Sequence, residues 1–119
     1  MSANTLALLT VPPAVQEVLS RYAGDILRAF PGSRIVLFGS YAKGNFTYQS
    51  DIDVAVMMPQ CYEKEDQRAI FRILCRLSRS YDYDIQPQLF SFTEYRDPVG
   101  IMEEIVRYGI DISHICNHN

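Results

Sequence analysis

Hydrophobic residues along the chain alternate between helical spacing and short continuous runs. Apolar positions three or four residues apart predict a first helix that opens at Pro12-Pro13 and ends before the breaker pair Pro31-Gly32. Residues 35–38 are all apolar, which is typical of a strand covered on both faces. A helical turn is expected from Ser40, followed by a second strand over residues 51–58.

The second half of the chain continues this alternation of helix and strand. Residues 62–80 have the clearest amphipathic pattern and predict a helix. Residues 84–92 predict a third strand, and Pro87, which cannot donate a backbone hydrogen bond, favours an edge position or a bulge. Asp97, followed by a proline, predicts the start of a last helix that runs to Gly109. This order indicates a small α/β domain, a short sheet with helices packed on it.

Length and charge narrow the functional classes. With 119 residues, the chain is expected to form one domain. The formal net charge of -3 argues against broad electrostatic binding to nucleic acid or to an anionic membrane, so a nucleic-acid acceptor is not favoured. No apolar run approaches the roughly 18 residues that a membrane helix needs. The widely spaced cysteines do not resemble a disulfide framework, and the cytoplasm is the expected compartment.

The stretch GSYAKGNFTYQSDIDVAV, residues 39–56, contains the candidate chemistry. Successive strand side chains point to opposite faces, so Asp51 and Asp53 are expected to share a face about 7 Å apart. Two carboxylates at that spacing repel each other and can share one or two divalent cations, and Mg2+ prefers carboxylate, water and phosphate oxygens. The alternative is a charged strand end in solvent.

Gly39 and Ser40 stand where the predicted strand 35–38 meets the helical turn. Unpaired N–H groups at a helix start attract phosphate, glycine lets the phosphate approach the backbone, and a serine hydroxyl adds a donor. Lys43, one turn further on, can reach a phosphate or can lie in solvent as an exposed helix lysine. Phosphate donors beside acids that bind metal are the arrangement that phosphoryl or nucleotidyl transfer requires.

A third acid would complete a site for two metal ions. Asp84 opens the third predicted strand, and Asp82 has the same parity along the chain. Asp84 is preferred, because it belongs to the strand itself, whereas Asp82 falls in the turn after the preceding helix.

With Gly-Ser, ten residues and then Asp-x-Asp, residues 39–53 resemble the signature of the DNA polymerase β-like nucleotidyltransferase superfamily. Gly44 and Ser50 also fit the pattern of its minimal members. The resemblance covers roughly residues 15–110 of a single domain spanning 1–119. It implies the minimal nucleotidyltransferase α/β core, a short mixed sheet with helices packed on it.

The resemblance also implies roles and partners. The residues that bind ATP would be Gly39, Ser40, Lys43 and Ser50. The acids Asp51, Asp53 and Asp84 would bind two Mg2+ ions, and Asp84 would also activate the acceptor hydroxyl. In HEPN toxin–antitoxin pairs of this superfamily, the nucleotidyltransferase is the antitoxin and transfers AMP from ATP to a tyrosine of the toxin. A nucleotidyltransferase activity and a HEPN-type protein partner are therefore expected.

Two other functional classes stay open. A binding module would neutralise a partner by contact without chemistry, and a nucleotide sensor would bind ATP without turnover. A domain of this size leaves little room for an acceptor pocket, so the acceptor site is expected to be shared with a second protein. An oligomer is also compatible with the sequence.

Overall fold

The computed structural model describes residues 10–114. Within them, five α-helices pack on a four-stranded sheet, which confirms the expected α/β class. The helices are α1 (Pro13–Ala29), α2 (Ser40–Lys43), α3 (Gln67–Ser78), α4 (Phe92–Arg96) and α5 (Ile101–Tyr108). The strands are β1 (Arg34–Phe38), β2 (Ile52–Met58), β3 (Ile85–Ser91) and β4 (Ile110–Asp111).

The sheet is mixed, as expected. Its strand order is β3-β2-β1-β4, with β2 parallel to β3, and with β1 antiparallel to both β2 and β4. Strand β3 lies at an edge, which confirms the position predicted from Pro87. Because β2 and β3 are parallel, both strands begin at the same end of the sheet, and this arrangement brings Asp51 and Asp84 together.

Both faces of the sheet are covered by helices. Val54 and Val56 of β2 point into the larger core, which α1 and α3 complete. Ala55 and Met57 point the other way, into a smaller core against α5. Within β2 only Asp53 is partly exposed. None of the helices in residues 10–114 combines the length and the apolar character that a membrane crossing requires.

The amphipathic pattern over residues 62–80 corresponds to two elements rather than to one helix. A short 3-10 turn, Gln60–Tyr62, comes first, and α3 begins only at Gln67. Asp66 determines this start, because its carboxylate accepts hydrogen bonds from backbone N–H groups two and three residues further on, at 3.0 and 3.3 Å. The helix ends at Ser78, slightly earlier than predicted.

The predicted helix start at Asp97 is wrong. The short helix α4 lies immediately before it and is stabilised by a capping box between Ser91 and Glu94. Asp97 follows the C-terminal end of that helix, and α5 begins only at Ile101, after Gly100 at φ +61°. An Asp-Pro pair disfavours helical backbone before the proline, so here it ends one helix instead of opening the next.

Candidate active site

Three carboxylates meet at the N-terminal ends of β2 and β3. Asp53 lies within β2, whereas Asp51 and Asp84 immediately precede their strands. The parallel register pairs Ile52 with Ile85, and the backbone N–H of Ile52 donates to the carbonyl oxygen of Asp84 at 2.9 Å. Asp51 and Asp84 therefore lie side by side. The structure brings together the three acids that the sequence singled out.

The pKa values of two of these carboxyl groups, Asp51 and Asp53, are raised. The pKa of Asp51 is raised first by its hydrogen bond with the Asp84 side chain and then by the negative charge of that group. Asp53 is half-buried, and its pKa is raised first by burial and then by the charges of Asp51, Glu104 and Asp84. Ionisation of Asp51 and Asp53 is therefore less favourable than that of a free carboxyl group, and a cation bound nearby would offset the difference.

No described basic side chain neutralises the three acids. Within residues 10–114, no ion pair joins a Lys, Arg or His nitrogen to Asp51, Asp53 or Asp84 within 4.0 Å. A divalent cation would supply the missing charge, and carboxylate oxygens are the ligands that Mg2+ prefers. Among residues 10–114, no three His, Cys, Asp or Glu side chains are arranged closely enough to hold a metal ion by themselves. Water and phosphate oxygens would therefore complete the coordination of an ion held here.

Gln86 orients Asp84, and sequence reasoning missed it. Its Nε2 donates to Oδ1 of Asp84 at 2.5 Å, and the register of β2 and β3 places Gln86 directly opposite Asp53. The signal that could have found Gln86 is the two-residue period of a strand, which puts it on the same side as Asp84.

Gly39 allows the end of β1 to lie close to Asp53. The preceding residue, Phe38, pairs with Asp53 in the sheet. Gly39 has φ +75°, a conformation that favours glycine, and a Cβ atom at this position would collide with Oδ2 of Asp53. Glycine therefore permits the turn after β1 to approach the carboxylates.

The helical turn α2 begins directly after Gly39. The backbone N–H groups of Ala42 and Lys43 both donate to the Gly39 carbonyl at 3.1 Å. Those of Ser40 and Tyr41 come before the first internal hydrogen bond of the turn, so they could donate to a phosphate. Ser40 is partly exposed, so its hydroxyl can join them. The predicted phosphate-binding turn is thus adjacent to the three acids.

The Lys43 side chain interacts with two residues of α5. Its Nζ lies 3.0 Å from Oε1 of Glu104 and 5.5 Å from the centre of the Tyr108 ring. Glu104 is also one of the charges that raise the pKa of Asp53, so this ion pair borders the carboxylates. Sequence reasoning missed Glu104, because it lies far along the chain from Asp53 and no local pattern links the two.

Ser50 and Asp82 lie beside the group of acids. The Oγ of Ser50 accepts a hydrogen bond from the Thr47 N–H at 2.8 Å, so Ser50 shapes the loop that leads into Asp51. Asp82, the alternative third acid, is exposed before β3 and is not among the charges that act on Asp51 or Asp53. Asp84 was expected to belong to the third strand, but like Asp82 it precedes β3; what distinguishes it is that its charge acts on Asp51 and Asp53.

Comparison with known sequences finds relatives across most of the chain. Residues 19–112 match the nucleotidyltransferase domain family. A protein of Methanocaldococcus jannaschii with the provisional name protein adenylyltransferase is 28% identical over 98 residues, which cover 81% of this chain and 96% of that protein. A second protein of this organism, with the same provisional name, is 42% identical over 43 residues, 36% of this chain and 37% of its own length.

Comparison with solved structures gives the same fold. A crystal structure from Sulfolobus solfataricus, provisionally described as a nucleotidyltransferase, aligns with a TM-score of 0.58 at 15% sequence identity. The alignment covers 94% of this chain and 87% of that chain, so the likeness extends over the whole α/β core. The family match contains Gly39, Ser40 and all three acids. Motif, site geometry and family match agree, and the chain belongs to the nucleotidyltransferase domain family.

Proposed function

We propose that this nucleotidyltransferase moves an adenylyl group from ATP to an acceptor hydroxyl with the help of Mg2+. The observation that carries the proposal is the group of three carboxylates beside Gly39, which no described basic side chain neutralises. The choice of AMP as the transferred group is supported by the two relatives named as protein adenylyltransferases.

The residues that would hold the metal are Asp51, Asp53 and Asp84. Mg2+ bound there would supply positive charge to the triphosphate and to the pyrophosphate that leaves. Two ions are proposed, because three ionised carboxylates carry more negative charge than one divalent ion neutralises.

The protein's own groups position the reactants. Ser40 and the first N–H groups of α2 bind triphosphate oxygens. Asp84, oriented by Gln86, accepts the proton of the acceptor hydroxyl. The hydroxyl oxygen forms a bond to the α-phosphorus, the bond from that phosphorus to the bridging oxygen of the β-phosphate breaks in line, and pyrophosphate leaves.

A protein is the proposed acceptor. The resemblance to the nucleotidyltransferases of HEPN toxin–antitoxin pairs supports a tyrosine hydroxyl of a HEPN-type partner, with an antitoxin role for this chain. The provisional name of the M. jannaschii relatives supports the broader class, adenylylation of a protein.

The test follows label from α-labelled ATP into proteins of a source-cell lysate in the presence of Mg2+. Wild type is compared with Asp53→Asn and with Glu63→Gln, which removes an exposed acid away from the three carboxylates. A labelled band that needs Mg2+ and Asp53, but not Glu63, supports the proposal, and its mass identifies the acceptor. Equal labelling by Asp53→Asn contradicts the proposal, and ATP binding without pyrophosphate release would identify a nucleotide sensor.

A further inference from the structure

The ion pair between Lys43 and Glu104 joins α2, the turn that is proposed to bind phosphate, to α5. The Nζ of Lys43 lies 3.0 Å from Oε1 of Glu104, and the two side chains are 35% and 33% exposed. Among the ion pairs of residues 10–114, this one alone connects two helices. Because both side chains are mostly covered, solvent and salt screen the pair less than they screen a fully exposed one.

Both partners of the pair are held by the elements that carry them. The backbone N–H of Lys43 donates to the Gly39 carbonyl at 3.1 Å. Glu104 precedes Ile105, which is buried in the smaller core and fixes α5 on the sheet. The Tyr108 ring lies 5.5 Å from the Lys43 Nζ, and an aromatic face attracts a cation. The Lys43 ammonium group is therefore bound by two side chains of α5.

The surroundings of the proposed triphosphate site are strongly negative. Lys43 is the only Lys, Arg or His in the motif, residues 39–53, and its charge is balanced by Glu104. Glu104 is also one of the charges that act on Asp53. A triphosphate without a metal ion therefore meets the three Asp carboxylates, a fourth acid and a lysine that is already paired.

We propose that Glu104 is a positioning residue that keeps Lys43 away from the nucleotide, so that binding of the triphosphate depends on a divalent cation. With such a cation bound, the Asp carboxylates no longer repel the triphosphate, and Lys43 can stay on Glu104. Without it, Lys43 has to leave Glu104 to reach the phosphates. Because the proposed transfer needs the metal, this arrangement excludes a nucleotide that cannot react. The inference rests on the proposed function and adds the charge selectivity of its nucleotide site.

The first test is calorimetric titration of the full chain with α,β-methylene-ATP, an analogue in which the bridge between the α- and β-phosphates is not cleaved. The titrations are made in EDTA and in Mg2+. Glu104→Gln keeps the shape of the side chain and removes its charge. We expect this variant to bind the analogue about fivefold more tightly than wild type in EDTA, and within about twofold of wild type in Mg2+. An unchanged or lower affinity in EDTA overturns the proposal.

Glu103→Gln is the matched control for the loss of a negative charge from α5. Glu103 is the neighbour of Glu104, is exposed, and takes part in no ion pair within residues 10–114. Its substitution should change the affinity in EDTA by less than about twofold, because solvent and salt screen an exposed charge. An equal gain in the two variants would reflect the net charge alone and would overturn the proposal.

A double-mutant cycle shows whether the gain comes from Lys43. In EDTA, Glu104→Gln should tighten binding about fivefold when Lys43 is present, but only about twofold in the Lys43→Met background, where no ammonium group is released. Urea unfolding verifies that the variants are folded at the temperature of the titrations. An equal gain in both backgrounds overturns the proposal, because loss of the Glu104 charge would then account for the whole effect.

A transfer assay separates failure of this inference from failure of the proposed reaction. In labelling of the lysate acceptor, ATP in excess over Mg2+ should inhibit Glu104→Gln at about a fivefold lower concentration of free ATP than it inhibits wild type. Equal inhibition overturns the inference. Calorimetric differences without any labelling by wild type would contradict the proposed transfer and leave Glu104 in control of a nucleotide-binding site. Wild type that binds the analogue neither in EDTA nor in Mg2+ would contradict both.

Discussion

A Cβ atom on Gly39 would collide with Oδ2 of Asp53, so the turn that follows β1 approaches the first carboxylate of β2 as closely as glycine allows. Gly39 also has φ +75°, which adds a conformational reason for glycine to the steric one. The absence of a Cβ atom here allows the turn that is proposed to bind phosphate to lie next to Asp53. In nucleotidyl transfer, the triphosphate must reach both at once.

We expect Gly39→Ala to lower the free energy of unfolding by about 3 kcal/mol, because it combines an unfavourable φ with a steric collision. Gly44→Ala is a control for positive φ in a position without a collision, although Gly44 is left-handed helical, a conformation that other residues adopt more readily than that of Gly39. Its φ is +80°, but no heavy atom lies within 4 Å of the added Cβ, so its loss should be about 1 to 2 kcal/mol from the backbone alone. Urea unfolding measures both values, and ATP binding should be lost only in Gly39→Ala. Equal losses in the two variants would contradict the steric argument.

Raised carboxyl pKa values are expected to make the folded chain less stable as the pH rises. Asp51 and Asp53 have pKa values above the ordinary 3.8, so the folded state binds more protons than the unfolded state above that pH. Stability therefore falls as the pH rises from 3.8 through the raised pKa values, and the penalty persists above them.

Asp53→Asn should remove part of this penalty. At pH 7 we expect its free energy of unfolding to exceed that of wild type by less than about 1 kcal/mol, because solvent screens a partly exposed carboxylate. At pH 3 the difference should nearly vanish, since the group is mostly protonated in both states. Urea titrations at the two pH values measure it, with Glu63→Gln as the control for loss of an exposed acid. A less stable Asp53→Asn at pH 7 would show that this carboxylate makes a favourable contact in the metal-free protein.

Mg2+ should offset the loss of stability that the raised carboxyl pKa values cause in the wild-type chain. An ion at a concentration one hundred times its dissociation constant stabilises the folded state by about 2.7 kcal/mol, which a thermal unfolding experiment detects as a higher melting temperature. Asp51→Asn and Asp53→Asn should lose most of this increase. Sodium chloride at equal ionic strength controls for general screening. The same increase in the variants would place the bound ion outside the three acids.

The central part of the site could be predicted because it depends on local rules. A strand has a period of two, so spacing alone predicts that Asp51 and Asp53 share a face. The same reasoning selects Asp84, an acid at the start of the next predicted strand. The parallel pairing of β2 with β3 then brings the strand starts together. Pro87 predicts the edge position of its strand for an equally local reason, because proline has no backbone N–H to donate to a neighbouring strand.

What the sequence did not predict depends on contacts between distant segments or on ambiguous boundary signals. Glu104 joins the site only because α5 packs on the sheet face that Asp53 shares. The two-residue strand β4 has too few residues for a periodic pattern and exists through its pairing with β1. The Asp97-Pro98 pair has the composition of a helix start. In the structure, the capping box at Ser91 starts α4 before this pair, and α4 ends just before Asp97.

Glu104 and Lys43 provide a test of how α5 acts on the site. Glu104→Gln should lower the pKa of Asp53, because the Glu104 charge is one of the causes that raise it, and NMR titration of the carboxyl group measures the change. Stability should change by less than about 1 kcal/mol, since both partners of the ion pair are about one-third exposed. Lys43→Met breaks the same ion pair but keeps the Glu104 charge, so it should not lower the Asp53 pKa. A fall in both variants would mean that the contact between α2 and α5, rather than the charge of Glu104, sets the pKa of Asp53.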